Sequence, residues 1–480
     1  MLRERFALSR LPEELRGFGD PRTALLGRPR VPAGARLAPA PERVHAFGHL
    51  GMRPTEAFLR RLCGYRATHG DVVRLRFGGI TGHLISDPEL VRVVLQERHR
   101  LYSKATRGIL KLRLVLGLGL LTAEGESWLR NRRIAQPAFA RRRLEGFAER
   151  MAAAGEAMVA GWRDGEVLDA HGEMNAVTLR IVSETMFGAD LGHLAGEVAA
   201  AVSVVTNDVN QRMRSLVELP LAVPTPQNQR FTKAMDTLDR IVLGLIQERR
   251  REPPGTRDDL LAMLMEARDV DTGEGMSDTQ LRDEVMTIFL AGHETTANAL
   301  SWTLLLLSRH PESARRLREE VDAVLAGGRT PTHEDVAKLP YATRVVQESM
   351  RLYPPAWMVS RAPTRDDELG GYFIPKGSLI FVSPFVVHRH VDHWPDPERF
   401  DPDRFFPDAV AARHRMAYFP FGGGPRLCIG QGFAMMEAVL LLAIMVRGWR
   451  LDLRPGHTVP LEPLITLRPE GGLPMTAVRR

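Results

Sequence analysis

The longest stretch of regular hydrophobic spacing along the chain runs from Thr279 to Ser308. Apolar residues such as Leu281 and Val285 recur there three or four positions apart, which is the spacing of one face of an α-helix. Ser277 and Gln280 have the types and the spacing of a capping box at the start of this helix. At about 1.5 Å per residue the helix would span roughly 45 Å. The pattern therefore predicts a central helix that crosses the whole domain.

Shorter segments with helical spacing lie on both sides of the central helix. They cover residues 54–69, 88–96, 125–139, 144–205, 231–251, 312–325, 341–352 and 431–446. Alternating apolar and polar residues predict short strands at 71–77, 83–86, 371–374 and 379–382, and within the tail at 464–478. Residues 107–121 are apolar but interrupted by glycines, and residues 219–229 contain three prolines, which predicts a loop. The predicted fold class is mainly α with a minor β region.

The composition is that of a globular protein of 480 residues, with 44% hydrophobic and 26% charged residues. The 65 Lys and Arg residues and 58 Asp and Glu residues leave a net charge of only +7. This excess is small and dispersed, so it does not predict a nucleic-acid partner. It fits either a positive docking face for an acidic protein or an ordinary basic surface.

The cysteines and the apolar runs bear on the compartment. The only two cysteines, Cys63 and Cys428, are far apart in the sequence and suggest no disulfide framework, which fits a reducing cytoplasm. The longest apolar run, Ala438 to Val446, is about half of the ~20 residues that a membrane-spanning helix needs. Residues 1–38 contain Arg, Glu and Pro and no apolar segment typical of a signal peptide. We therefore expect a cytoplasmic protein with no membrane anchor.

Cys428 stands in a glycine-rich loop, Phe421–Gly430, directly before a long apolar helix. Glycines such as Gly422 carry no Cβ and let the main chain lie close to a flat ligand. Arg426 is placed to reach an anionic edge of the same ligand. Backbone N–H groups and the helix N-terminus would lower the pKa of the thiol and favour a thiolate that binds iron. Taken alone, the loop also fits an inert buried cysteine after a turn.

A second candidate site lies in the middle of the central helix, in the stretch Ala-Gly-His-Glu-Thr-Thr that starts at Ala291. Ala291 and Gly292 are small and leave room for a ligand against the helix. Thr295 can bond back to a carbonyl and open the helix locally, and Glu294 beside it can relay protons. Taken alone, this stretch also fits a helix-packing site, and His293 is interpreted as a packing residue rather than a ligand.

Residues 421–430 resemble the haem-binding loop of the cytochrome P450 family, Phe-x-x-Gly-x-Arg-x-Cys-x-Gly, at every fixed position. The resemblance implies a cytochrome P450 fold, with haem b between the central helix and the cysteine-loop helix. It implies that Cys428 is the axial thiolate ligand of the iron. The further haem contacts that it implies in this loop are Phe421, Gly422, Arg426 and Gly430.

The stretch that starts at Ala291 resembles the oxygen-activation motif of the same family. By that resemblance, Ala291 and Gly292 would lie against the haem on the side opposite the cysteine. Thr295 would hold a water network beside O2, and Glu294 would supply it with protons from solvent. Glu294 and Thr295 are therefore the implied catalytic residues.

Two arginine-containing patterns and one further arginine also resemble the family. Glu348 and Arg351 match its Glu-x-x-Arg motif, and with Arg404 they would form the structural triad that supports the haem loop. Trp128 and Arg132 lie four residues apart on one helix face and match the family's Trp-x-x-x-Arg pattern. By the resemblance, this pair would contact a haem propionate. Taken alone, Arg361 also fits a surface charge. The implied propionate partners are Trp128, Arg132, Arg361 and Arg426.

The resemblance also predicts the domain organisation and the pocket. Residues 1–40 would be an N-terminal lead-in, and residues 41–480 a single cytochrome P450 haem domain. A flexible loop at 107–121 and two helices around 219–229 would cover the substrate. Trp357 would either narrow the cavity or pack outside it. The residues expected to line this mostly apolar pocket are Leu110, Leu114, Leu118, Thr287, Leu290, Ala291, Ala356, Trp357, Met358, Leu464 and Ile465.

The function implied is that of a haem-thiolate monooxygenase, a monomer that inserts one oxygen atom from O2 into an apolar small molecule. The substrate class stays open among fatty acids, terpenoids, steroids and polyketides. No flavin or ferredoxin segment follows the haem loop, so we expect electrons from a ferredoxin or flavodoxin-type donor with its reductase. The alternatives are a haem-thiolate peroxygenase or isomerase, a non-catalytic haem-binding sensor or carrier, and a helical scaffold without haem.

Overall fold

The computed structural model describes residues 31–42, 55–77, 79–188, 192–214, 219–253 and 255–480. Most of the predicted lead-in therefore lies outside the described residues. The helices are α1 Glu56–His69, α2 Pro88–Arg92, α3 Arg107–Leu116, α4 Gly125–Ala135, α5 Arg141–Glu145, α6 Ala148–Ala160, α7 Ala170–Phe187, α8 Gly192–Arg214, α9 Pro226–Arg249, α10 Leu260–Glu266, α11 Asp278–Arg309, α12 Pro311–Val324, α13 His333–Val336, α14 Pro340–Leu352, α15 Pro384–Val387, α16 Pro407–Ala412 and α17 Gln431–Gly448. The strands are β1 Val72–Phe77, β2 Ile80–Ile85, β3 Tyr102–Ser103, β4 Val167–Asp169, β5 Val359–Pro363, β6 Asp367–Leu369, β7 Tyr372–Ile374, β8 Leu379–Val382, β9 Trp449–Leu453, β10 Leu461–Pro463, β11 Leu467–Pro469 and β12 Pro474–Arg479.

The central helix α11 begins and ends within one residue of the prediction. The Ser277 side chain accepts a hydrogen bond from the Gln280 N–H, and the Gln280 side chain accepts one from the Ser277 N–H. This capping box satisfies donors that an uncapped helix start would leave without partners. Pro311, two residues after the last residue of α11, begins the next helix. The predicted central helix and its capping box are confirmed.

The hydrophobic core is divided along the length of α11. Its first half packs with α9 and α3 around residues such as Val285 and Phe289, in a cluster that also includes α8. Its second half packs with α7, α14 and α17 around residues such as Leu300 and Leu304, in a cluster that also includes α6. The two clusters meet near Ala291, where α11 carries small and polar residues instead of large apolar ones. At this interruption Ala291 is exposed, unlike most residues of α11.

The β-structure is small and lies at the edges of the helical body. The largest sheet has the order β1-β2-β8-β5-β3, in which only β2 and β8 are parallel. A second sheet joins β4, β12 and β9, while β10 with β11 and β6 with β7 form two-stranded ribbons. The prediction of a mainly α fold with a minor β region is confirmed.

Several predicted boundaries differ from the structure. Residues 107–116 form the helix α3, so only the glycine-containing end of the predicted 107–121 loop is non-helical. Residues 226–229 belong to α9, because Thr225 caps the helix and Pro226 occupies its first turn, where a missing N–H costs nothing. The strand β4 interrupts the predicted 144–205 helical region because it pairs with β12, a partner from the far end of the chain.

One helix among the described residues, α17, is long and apolar enough to cross a membrane by length and composition. However, 61% of it is buried inside the protein, where it packs against α6, α11 and α14. Core helices pass the same test of length and composition, so the finding is weak support for a membrane span. The apolar character of α17 is explained by burial in the largest core cluster.

Candidate active site

Cys428 lies at the end of a tight loop that leads into α17. The Cys428 N–H donates to the Phe421 carbonyl oxygen at 3.0 Å and so closes the loop. Gly424 has a φ of +65°, and a Cβ at this position would lie 2.1 Å from the Leu95 carbonyl oxygen, so only glycine fits. The Cys428 side chain is exposed, although it stands directly before α17, most of which is buried.

The protonation of the Cys428 thiol differs from the prediction. The Gly430 N–H and the charge of Arg132 both lower its pKa, but burial by the surrounding protein outweighs them and raises it. Although the side chain is exposed, the dense protein around it disfavours a free thiolate. The Gly430 N–H therefore acts in the predicted direction, but burial sets the net shift of the thiol pKa, which is opposite to the predicted one. A bound metal ion would supply the missing stabilisation, because coordinated thiols lose their proton.

Four basic side chains lie close together beside this loop with few opposite charges. Arg361 and Lys104 are buried, and burial lowers the pKa of Arg361 to about 10 and that of Lys104 well below its usual range. Burial also lowers the pKa of Arg426 to about 9, and Arg361 and Arg132 depress it further. Glu124 is the carboxylate that raises the pKa values of Lys104, Arg361 and Arg426. The cluster therefore has the charge to bind a ligand with additional carboxylates.

The predicted propionate partners meet at this cluster. The Arg426 guanidinium lies over the Trp128 ring, 3.9 Å from its centroid, which is a cation–π contact. Arg132 Nη1 donates to the Leu427 carbonyl oxygen at 2.9 Å, directly before the cysteine. Sequence motifs gave no sign of Lys104, whose Nζ donates to the Leu121 carbonyl oxygen at 2.6 Å. Only the packing of distant segments brings this lysine to the site.

The mid-helix motif of α11 combines exposed and buried positions. Ala291 is exposed, although most residues of α11 are buried. Thr295 Oγ1 donates to the Ala291 carbonyl oxygen at 2.9 Å, which is the back-bond expected of a mid-helix threonine. Gly292 lies on another face, since a Cβ there would lie 3.1 Å from Val182 of α7. Ala291 and Thr295 therefore share the open face, whereas Gly292 provides close helix packing.

Glu294 is held by residues that no sequence motif identified. Thr466 Oγ1 donates to Glu294 Oε1 at 2.6 Å, and Asn298 Nδ2 donates to Thr466 Oγ1 at 3.1 Å. Thr466 and Asn298 are buried, while Glu294 is half-buried. His293 is buried and its Nδ1 lies 3.0 Å from the Phe289 carbonyl oxygen, as a packing residue would. This network fixes one carboxylate oxygen of Glu294.

The structure brings the predicted triad together behind the cysteine loop. Arg351 donates from Nε and Nη2 to the Glu348 carboxylate at 2.6 and 2.7 Å, and both side chains have no exposed surface. Arg404 Nε lies 3.6 Å from Glu348 Oε1, so it contributes charge without a hydrogen bond. The Asp401 N–H also donates to Glu348 Oε1 at 2.8 Å. This arrangement ties α14 to the segment that precedes the cysteine loop.

The residues expected to line the pocket differ in exposure. Trp357 is buried against Phe58 and donates its indole N–H to the Leu464 carbonyl oxygen at 2.9 Å. Trp357 is part of the largest core cluster, which favours the alternative in which it packs outside the cavity. Thr287 and Leu464 are also buried, Ala291, Ala356 and Leu118 are exposed, and the half-buried residues are Leu110, Leu114, Leu290, Met358 and Ile465.

Comparison with known proteins places this geometry among characterised relatives. A family model described as Cytochrome P450 matches residues 38–473. Cyclooctatin synthase of Streptomyces melanosporofaciens is 38% identical over 400 residues, which cover 83% of this chain and 87% of that protein. Pentalenene oxygenase of Streptomyces avermitilis is 38% identical over 423 residues, covering 88% of this chain and 92% of that protein.

Two further matches concern an activity and a solved structure. Cyclooctat-9-en-7-ol 5-monooxygenase of Streptomyces melanosporofaciens is 36% identical and covers 88% of this chain and 90% of that protein. The crystal structure of the cytochrome P450DA heme domain is similar with a TM-score of 0.86 and 27% identity. That likeness covers 93% of this chain and 98% of the solved one.

Proposed function

The chain belongs to the cytochrome P450 family, and we propose that this P450 monooxygenase inserts one atom of O2 into an apolar small molecule with electrons from separate redox partners. The reaction would be a hydroxylation or an epoxidation. One observation carries the proposal: Cys428 is exposed at the end of a closed glycine-rich loop, with the basic side chains of Arg132 and Arg426 beside it. Cys428 would bind the iron, and the Ala291–Thr295 stretch, exposed at Ala291, would face the reacting molecule.

The residues around the cysteine loop fit haem b. Cys428 would bind the iron, and the glycine-rich turn before it leaves space where a Cβ would collide with the backbone. The excess of buried cations around Arg361, Arg426 and Lys104 matches the two propionates of haem. Trp128 and Arg132 would complete the group of residues around the propionates. When bound, haem would supply the reduction of O2 and the oxidation of the substrate.

The protein's own part in the reaction is to hold and deliver protons. Thr466 occupies Oε1 of Glu294, and no described residue donates to Oε2, which is therefore available to take a proton from solvent. Thr295 donates its hydroxyl proton to the Ala291 carbonyl oxygen, so its lone pairs can accept a further hydrogen bond. Glu294 and Thr295 are adjacent, and together they would pass protons to the reacting oxygen.

We place the substrate among unsaturated cyclic compounds. The predicted lining is largely aliphatic, with half-buried Leu110, Leu114, Leu290 and Ile465, and an apolar lining binds an apolar ligand. The names of two relatives refer to pentalenene and to cyclooctat-9-en-7-ol, an alkene and an unsaturated alcohol. An unsaturated cyclic hydrocarbon, or its mono-alcohol, is the substrate class proposed for this chain. A cytoplasmic location is part of the proposal, supported by cysteines that form no disulfide.

Substituting Thr295 by alanine tests the proposed function. The substrate is first chosen as the unsaturated cyclic compound that shifts the ferric Soret band of the wild-type protein. Under oxygen-18 gas, with a ferredoxin and its reductase, the wild type should form a product that contains one labelled oxygen atom. Thr295→Ala should still consume NADPH but form about tenfold less product and release hydrogen peroxide instead. The reason is that, without the Thr295 hydroxyl, protons would not be directed to the correct oxygen atom of the reduced O2.

Thr303→Ala is the matched control for Thr295→Ala. Thr303 makes the same type of back-bond, to the Ala299 carbonyl oxygen at 2.7 Å, but it is fully buried in the core half of α11. We expect this variant to keep the wild-type ratio of product to NADPH. Unlabelled product in the wild type, or a Thr295→Ala variant that still couples fully, would contradict the proposal.

The electron donor is proposed to dock on the face next to α5. Leu144 of α5 packs against the first turn of α17, where a Cβ on Gly432 would lie 3.0 Å from it. Arg142 and Arg143 are exposed on the same short helix. The double variant Arg142→Glu/Arg143→Glu should raise the KM for an acidic ferredoxin by about tenfold and weaken its salt dependence.

Arg230→Glu is the control for this charge reversal. Arg230 is exposed on α9, which packs against the first half of the central helix rather than beside the cysteine loop. Its substitution should leave the KM for the donor unchanged. Equal effects of both substitutions would show that net charge, and not a docking face at α5, governs the encounter. Substrate binding, read from the ferric Soret band, should stay the same in all variants.

A further inference from the structure

The glycine-rich loop Gly117–Leu121 lies on the first turns of the central helix, and two carboxylates hold its backbone. The Leu118 N–H donates to Asp283 Oδ2 at 2.8 Å. The Leu120 N–H donates to Glu284 Oε2 at 2.9 Å. Both carboxylates belong to α11 and are buried, so these hydrogen bonds satisfy the loop N–H groups away from water. The segment is therefore fixed at two successive points.

The loop sequence is matched to this contact. A Cβ on Gly117 would lie 2.1 Å from Asp283 Oδ2, and its φ of +55° also disfavours other residues. A Cβ on Gly119 would lie 2.1 Å from Thr287 Oγ1 and 2.6 Å from the Asp283 carbonyl oxygen. Larger residues at either position would push the loop off the helix. Leu118 between them is 53% exposed and presents its side chain outward.

Arg282 extends the contact to α9. Its Nη1 donates to the Val115 carbonyl oxygen at 2.8 Å and to Asp283 Oδ1 at 2.9 Å. Its Nε donates to Asp239 Oδ1 of α9 at 2.6 Å. Three consecutive residues of α11, Arg282 to Glu284, thus connect the end of α3, the glycine loop and α9. We call this set the clasp.

Glu284 is the member of the clasp whose charge is least stable. Burial raises its pKa to about 7 and outweighs the hydrogen bonds from Leu120 and from Asn131 Nδ2, which lies 2.8 Å from Oε1. The neighbouring Asp283 carboxylate raises the pKa of Glu284 further. The other groups that face Glu284 are uncharged: the Asn131 amide of α4 and the Leu120 backbone N–H of the loop. Asn131 Oδ1 is buried without a partner, so it can accept the proton of a neutral Glu284 after an amide flip.

We propose that Asp283 and Glu284 are positioning residues that keep Gly117–Leu121 closed on the substrate pocket, and that the charge on Glu284 sets how often this loop opens. The part of this inference that concerns the substrate rests on the proposed function, whereas the opening of the loop does not. The loop would then be a pH-sensitive wall of the pocket rather than a freely flexible cover.

The direction of the pH dependence follows from linkage. Opening the loop hydrates Glu284 and returns its pKa from about 7 towards the ordinary value for glutamate. The closed loop therefore binds the proton more tightly than the open loop. Stabilisation of the closed state is fully present at low pH and is lost as the pH rises through 7. We expect the population of the open loop to increase by about tenfold between pH 6 and pH 8.

Hydrogen exchange of the haem-containing full chain measures this opening directly. Peptides that cover residues 115–122 are followed between pH 6 and pH 8, and rates are corrected for intrinsic exchange. The wild type should lose about tenfold in protection over this range. Glu284→Gln should keep the low-pH protection throughout, because its amide accepts from Leu120 and donates to Asn131 Oδ1. Glu312→Gln, an exposed substitution on α12, should behave as the wild type.

Asp283→Asn and Gly119→Ala provide independent outcomes. Asp283→Asn should lower protection at every pH, because Leu118 and Arg282 lose a charged acceptor. Gly119→Ala should do the same without removing any charge. The proposal would be overturned if protection in Glu284→Gln depended on pH as it does in the wild type, or if Gly119→Ala kept full protection. If the exchange results hold but no oxygenated product forms, the clasp stands and the proposed function fails.

Discussion

Cys428→Ser should abolish the red-shifted Soret band of the reduced carbon monoxide complex and reduce turnover by at least about a thousandfold, or roughly 4 kcal/mol in barrier. The reason is that a thiolate donates electron density that a serine oxygen does not match. The loop itself should persist, because it is closed by the main-chain bond from the Cys428 N–H to the Phe421 carbonyl oxygen. Haem content by pyridine haemochromogen and the carbon monoxide difference spectrum are the measurements.

Cys63→Ser is the natural control, since Cys63 is the only other cysteine. Burial raises the pKa of the Cys63 thiol to about 11, so this residue stays a thiol at neutral pH. Its substitution should leave the carbon monoxide spectrum and the turnover unchanged. A wild-type spectrum in Cys428→Ser, or its loss in Cys63→Ser, would show that Cys428 is not the ligand.

The features that could be predicted from the sequence are those that depend on short-range spacing of residues. The cysteine loop, the pair Glu348 and Arg351, and the capping box at Ser277 are each set by residues within one or two helical turns, so their geometry follows from local backbone rules. The central helix was predictable because its apolar spacing is long and regular. These elements sufficed to predict the fold class.

The rest of the site depends on contacts between distant segments, which carry no local pattern. Thr466 meets Glu294 across 172 positions of sequence. Asp283 meets Leu118 across 165 positions. Lys104 carries no motif and reaches the cation cluster only because the fold brings its segment there. Such pairings are decided by the packing of whole elements, so a single sequence does not show them.

The thiol of Cys428 shows a second limit of sequence reasoning. The loop supplies a backbone N–H group, from Gly430, that acts in the expected direction, and Arg132 of α4 lowers the pKa as well. Burial acts in the opposite direction and is larger, because it sums over all the protein atoms around the sulfur. The sign of a pKa shift therefore depends on how many protein atoms surround the group in the folded structure, and a sequence motif does not encode this.

Arg351→Ala should destabilise the protein by about 3–5 kcal/mol, the range for breaking a buried ion pair. Arg351 has no exposed surface and also donates to the carbonyl oxygens of His388, Pro397 and Arg399 at 3.0, 2.6 and 3.0 Å. The substitution leaves Glu348 buried without its main partner and frees these three carbonyl oxygens. Urea unfolding of the haem-containing protein, with haem release followed at the Soret band, measures the loss.

The loss should also depend on pH. Burial already raises the pKa of Glu348, and Arg351 opposes this rise. Without Arg351 the pKa of Glu348 in the folded protein rises further above its value in the unfolded chain. A group with a raised folded pKa contributes stability at low pH that is lost as the pH increases. The difference between Arg351→Ala and the wild type should therefore be larger at pH 8 than at pH 5.

Arg316→Ala is the control that shows whether the destabilisation by Arg351→Ala results from burial of the ion pair or from loss of a charge alone. Arg316 also binds a carboxylate through two nitrogens, at 2.9 and 3.0 Å from Asp403, but both side chains are 36% exposed. An ion pair of this kind contributes only about 0–1 kcal/mol, because water screens it and solvates the remaining partner. If Arg351→Ala and Arg316→Ala cost the same, the triad is an ordinary salt bridge. If only Arg351→Ala is costly and also accelerates haem release, the buried pair supports the cysteine loop by holding α14 against the segment before it.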